Sequence, residues 1–106
     1  DVPMVVFGDA SLREFVMATR GQRPTDFRVR DAAWFATDFA FAAEVERIRT
    51  RPDWTAQAAW LAASPQATLP LYNPMVMSKM FMLHDASIWN PFGSSHLAWI
   101  DGGITS

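Results

Sequence analysis

Two Asn-Pro pairs, Asn73-Pro74 and Asn90-Pro91, bracket the stretch that most restricts how this chain can fold. Asparagine at a cap followed by proline at the first helical position starts a helix. The second pair ends it, because the residue before a proline is pushed out of helical geometry. Stepping about 100° per residue from Met75 gives an almost continuous apolar surface. Ser78 and Asp85 share one narrow polar stripe, and Lys79 lies off it, between Met75, Leu83 and Ala86. A lysine so placed either snorkels to water or meets an anion.

After a turn at Phe92–Ser95, the residues Leu97-Ala98-Trp99-Ile100 are apolar at every position, as in a strand covered on both faces. Asp101, Gly102 and Gly103 follow. An acid and glycines at the carboxyl end of a strand is where open α/β sheets bind ligands. The glycines would let a ligand or metal approach the backbone. Asp101 has a plainer role open to it, as the aspartate of a turn or a helix cap.

Composition excludes several classes. The chain has 106 residues, enough for one domain with a modest core, and half of them are apolar. Nine basic against eleven acidic groups leave a net charge of −2, so there is no basic surplus to neutralise a nucleic-acid backbone. The absence of cysteine excludes disulfides, thiolate metal sites and cysteine nucleophiles. No apolar run reaches the roughly 18 residues that span a bilayer. No signal peptide is visible, and the chain opens on a strand-like run and stops soon after Asp101, so both ends read as cuts in a longer domain.

From the N-terminus, Val2–Phe7 reads as a short strand with Pro3 near its start. Ser11-Leu12-Arg13-Glu14 matches a capping box, and Leu12, Phe15, Val16 and Thr19 share a helical face that stops at Gly21. Phe27-Arg28-Val29 is a second strand, completing a right-handed βαβ unit. Trp34, Phe35, Phe39 and Phe41 pack a core, or else wall a ligand or partner. Glu44–Arg51 predicts a charged helix with Glu46 meeting Arg49. Pro52 ends it, Asp53 caps a further helix over Trp54–Ala63, and Gln66–Pro70 is a connector.

Neither a phosphate-binding glycine loop nor a nucleophile elbow is present, and His84 and His96 lack zinc spacing. Asp101, Lys79 and Asp9 remain. If Val2–Phe7 and Leu97–Ile100 are parallel neighbours, Asp9 and Asp101 emerge at one sheet edge. A carboxylate there suits a divalent cation on a diphosphate, and a lysine suits the phosphate itself. Asp9 is also close enough to the next helix to serve only as its cap.

The segment Tyr72-Asn73-Pro74 … Ser78-Lys79 … Asn90-Pro91-Phe92 … Trp99-Ile100-Asp101-Gly102-Gly103 resembles the HtrL/YibB (WlaTC/HtrL) family, bacterial proteins read as glycosyltransferases. The likeness is specific over Leu71–Thr105 and loose before it. It implies an α/β fold: part of a GT-A-like, Rossmann-like α/β/α sandwich with a mostly parallel sheet. Residues 1–106 would be a single partial domain, the donor-binding half of such an enzyme, truncated at both ends and inactive alone. The implied reaction transfers sugar from a nucleotide-sugar donor to a cell-surface glycan acceptor in lipopolysaccharide biosynthesis. The implied place is the cytoplasm, or the periphery of the inner membrane.

Carried onto this chain, Asp101 takes the place of the first aspartate of a metal-binding Asp-x-Asp, and Gly103 stands where the second would be. The resemblance implies a divalent metal, Mn or Mg, on Asp101, and donor contacts from Lys79, Asp101, Gly102, Gly103 and Asp9. The missing second aspartate and the dense aromatics favour a different class, a non-catalytic α/β binding or interaction module.

Overall fold

The computed structural model describes residues 1–102. The valine-rich N-terminal run forms strand β1, Met4–Gly8, and Thr25–Val29 forms β2. They pair in parallel, with Met4 opposite Thr25 and Gly8 opposite Val29. Helix α1, Arg13–Arg20, makes the crossover between them. Parallel strands cannot be joined by a tight turn, so a crossover of this kind is required. The ladder runs one step past each strand: the Met4 amide donates to the Pro24 carbonyl, and the Arg30 amide to the Gly8 carbonyl. Arg20 ties the unit shut, donating to Thr25 Oγ1 at 2.9 Å and to the Val2 carbonyl at 2.7 Å.

The predicted capping box does not form. Asp9 takes that place, its carboxylate accepting from the Ser11 amide at 2.9 Å ahead of a short 3-10 turn, Ala10–Leu12, that leads into α1. Asp9 lies one residue past the strand, early enough to reach the first free amide, which Ser11 inside the turn cannot cap. Gly21 ends α1 at φ 58°, as expected for a residue without Cβ. The apolar face expected on this helix is mostly open: Val16 is half-buried, but Leu12 and Phe15 are exposed.

The aromatic stretch is core in part: Phe41 stays exposed and Trp34 is half-buried. One π-helical turn, Trp34–Asp38, turns Phe35 and Phe39 inward, and both are buried. Phe39 meets Phe81 edge-on with ring centroids 5.4 Å apart. Helix α2, Ala42–Arg49, buries Ala42 and Val45 and carries i,i+3 pairs Glu44–Arg47 and Glu46–Arg49 on its open side.

The helix expected over Trp54–Ala63 is broken. Its residues fall into α3, Pro52–Thr55, then turns, then a 3-10 turn at Leu61–Ala63. Of this stretch only Leu61 is buried, and Trp60 stays exposed, so no continuous apolar face holds a longer helix together. Asp53 sits inside the first turn of α3, not at its cap, and pairs with Arg51. The connector over Gln66–Pro70 begins as a single turn, α4, Pro65–Thr68.

Helix α5, Tyr72–Trp89, is the longest element described. It starts at Tyr72, so Asn73 lies in its first turn and uses its side chain to bond the Gln66 carbonyl. Its inward stripe is Pro74, Ser78, Met82 and Ala86, at a regular four-residue step. Ser78 is fully buried, with its hydroxyl on the Met75 carbonyl. The narrow stripe containing Ser78 faces in, and Met75, Val76, Met77, Met80 and Ile88 are left exposed. Ser78 and Ala86 let the helix backbone sit close to its neighbours, and Met82 is the long apolar side chain that this stripe turns inward.

Asn90 ends α5 in the left-handed region at φ 34°. Its side chain clasps the following turn, accepting from the Ser94 amide at 2.8 Å and donating to the Ser94 carbonyl at 3.1 Å. The chain then runs back along the helix. Leu97–Ile100, expected as a central strand, pairs with no strand among the described residues, and Leu97 and Ile100 are exposed. A strand needs a neighbour's free backbone groups. This segment is held through the Trp99 ring instead, which stacks on Phe7 at 6.3 Å and 25°.

The described chain is thus mixed α/β with a two-stranded parallel sheet. Its radius of gyration is 16.4 Å, against about 13 Å for a compact domain of such length. Among the described residues no helix is long and apolar enough to cross a membrane.

Candidate functional site

A cavity of about 620 Å³ opens where β1 and β2 end and the first half of α5 passes over them. That volume falls in the usual range for small-molecule sites, as does the position at the carboxyl edge of parallel strands. Each element contributes for a local reason. β1 delivers Gly8 and Asp9, β2 delivers Arg30 and Asp31, α5 delivers Lys79, and the returning segment delivers Trp99 and Asp101. Gly8 keeps the floor low: a Cβ there would come within 3.3 Å of the Phe27 ring.

Lys79, Asp101 and Asp9 therefore line one cavity, although Asp101 arrives on a loop and not at the end of a strand. Lys79 Nζ donates to Asp101 Oδ2 at 2.9 Å, so the lysine embedded among apolar neighbours has met a carboxylate. The Trp99 indole N–H donates to the other oxygen, Oδ1, at 2.7 Å. Lys79, then Trp99, hold the Asp101 carboxyl below the ordinary carboxylate range. Asp9 is lowered too, first by the Ser11 amide. Gly102 stands in open surroundings, where a Cβ would meet nothing within 4 Å. Gly103 lies outside the described residues.

Arg30 and Asp31 do not stand out from sequence. Arg30 lies one step beyond the Gly8–Val29 pair, its amide bonded to the Gly8 carbonyl. Its guanidinium sits among three rings, 4.7 Å from the centroid of Trp34, 5.4 Å from Phe7 and 5.7 Å from Trp89. It donates to the Val29 carbonyl at 2.9 Å and approaches Asp85 at 3.7 Å, while its buried Nε has no partner. Asp31 accepts from the Trp34 amide at 2.8 Å and so starts the aromatic turn. A usable signal is present in the chain: each strand is followed closely by an aspartate, Asp9 after β1 and Asp31 after β2.

A divalent cation does not fit Asp101 as the residues stand. Both carboxylate oxygens already face fixed donors, one of them an ammonium. Among the described residues no three His, Asp or Glu side chains come together to hold a metal.

A sequence model of a family described as "Bacterial protein of unknown function (HtrL_YibB)" matches residues 1–106. No curated protein and no solved structure matches.

Proposed function

The chain belongs to the HtrL_YibB family, and from that premise we propose that it is the donor-binding part of a nucleotide-sugar-dependent glycosyltransferase. One observation supports this most. Asp9, Lys79 and Asp101, from opposite ends of the sequence, line a single cavity at the carboxyl edge of a parallel strand pair. In this reading the β1–α1–β2 unit is part of a GT-A-like sandwich. The acceptor is a cell-surface glycan, and the work is done in the cytoplasm or at the inner membrane's edge.

The roles follow from the geometry. An ammonium has three donors, and Lys79 has one on Asp101. The other two suit the oxygens of a leaving diphosphate, whose growing charge they stabilise. The apolar walls from Phe7, Tyr72 and Trp99 offer flat faces to a base or sugar ring.

The test is a thermal-shift panel of UDP-, GDP-, ADP- and CMP-sugars on the full chain, followed by assays of donor hydrolysis and transfer. At least one donor should raise the melting temperature, and Lys79→Ala should remove most of that rise. If no donor on the panel shifts the wild-type protein, the reading fails. A shift with no turnover, also in the presence of bacterial glycan acceptors, favours the non-catalytic binding module.

A further inference from the structure

The family resemblance puts a metal ion at Asp101, and the geometry puts an ammonium there. Lys79 Nζ lies 2.9 Å from one oxygen of Asp101, and the Trp99 indole nitrogen lies 2.7 Å from the other. A divalent cation on either oxygen would stand beside the Lys79 charge, which already occupies the carboxylate and repels a second cation. The aspartate is not idle in this arrangement. One arm fixes a cation with two N–H groups to spare. The other arm fixes an indole whose ring is already backed by Phe7 and lines the cavity. A second cation, Arg30, lines the same cavity from the end of β2. The nearby acids Asp9 and Asp31 each give an oxygen to a backbone amide, of Ser11 and Trp34 respectively.

We infer that Asp101 is a positioning residue and not a metal ligand, and that this cavity binds a nucleoside diphosphate without a divalent cation. The phosphates meet the Lys79 ammonium, and the flat ring of the nucleoside lies against Trp99. Asp101 touches neither; it holds both in place. This rests on the donor-site reading above and names the way the donor is held.

The experiment is calorimetric titration of the full chain with UDP and with GDP, once in EDTA and once with manganese. At least one should bind with the same affinity, within about threefold, in the two conditions. Lys79→Met should weaken that binding about 10- to 100-fold, as loss of hydrogen bonds from a charged group predicts. Lys79→Arg should recover part of it. Asp101→Asn should weaken it less than Lys79→Met does, equally in EDTA and in manganese, and should change the emission of Trp99. A thermal melt of each variant separates these losses from misfolding.

Binding that needs manganese and disappears in Asp101→Asn overturns the inference and leaves the donor-site reading standing. The inference also falls if manganese alone binds the wild-type chain, seen as loss of its free-ion paramagnetic signal, and not Asp101→Asn. Diphosphate binding in EDTA that is indifferent to Lys79→Met overturns it as well. No binding of either diphosphate in either condition removes both the inference and the donor site.

Discussion

Two parts of this molecule turn the chain back on itself, and they do so by different means. In β1–α1–β2 the return is made by backbone groups: five residue pairs in register, extended at both ends by amide–carbonyl bonds. In α5 and the segment after it, the return is made by side chains. Asn90 clasps Ser94, Trp99 leans on Phe7, and Lys79 grips Asp101. Backbone pairing tolerates most changes of residue type, whereas a return tied by three side chains is at the mercy of each. The cavity lies between the two, with one rigid wall and one that can be undone.

The largest effect should come from the rigid wall. Phe27 is buried beneath Gly8, with Arg13 over its ring. Phe27→Ala should cost about 3–5 kcal/mol in urea unfolding, as other large-to-small core changes do. A cost under about 1 kcal/mol would mean that the strand pair is held by its ladder alone. Next is α5. Ser78→Leu forces bulk into a fully buried position and should cost about 1–3 kcal/mol. If it were neutral, the inward stripe would have room that the geometry does not show.

The hinge between helix and return comes third. Asn90→Ala should lose the clasp and also suffer in the left-handed region, by about 1–2 kcal/mol. Asn90→Gly should recover the backbone part, and the difference between the two variants measures the clasp.

The smallest effect belongs to the exposed tie itself. Lys79 and Trp99 hold the Asp101 carboxyl low, so its contribution is present at neutral pH and disappears as pH falls through that lowered value. Five tryptophans share the signal, so Trp99 is read as the difference from Trp99→Phe. Its emission should change only below the ordinary carboxylate range. In Asp101→Asn that step should be missing, with the melting temperature at neutral pH little altered, as for an exposed pair. A Trp99 step near neutral pH would point to another group controlling the return.

The contrast also explains what is legible in the residues alone. The strand–helix–strand order at the N-terminus is legible because valine runs, Gly21 and helix periodicity act locally. Phe35 and Phe39 are legible as core because large rings have few other places to go. Leu97–Ile100 misleads because an apolar run says that a segment will be covered, not that a strand edge is waiting for it. The orientation of α5 is not legible for a related reason. With apolar residues almost all round, periodicity singles out no face, and the one that is buried, Pro74, Ser78, Met82 and Ala86, is set by the elements it packs on. At the candidate site, Lys79 stands out as a charge in an apolar sector. Arg30 does not, because its significance comes from the register that brings the end of β2 alongside the end of β1.

The Asn90 clasp also bears on how the cavity closes. Lys79 and Asp101 are 22 residues apart, a span whose ends an unstructured chain would rarely bring together. Once α5 and the clasp are formed, only the short run from Ser94 to Asp101 still has to search. Along α5, Lys79 and Asn90 stand about 16 Å apart, so that run reaches back to Lys79 only when largely extended. The return is thus a short, stretched strap and not a slack loop.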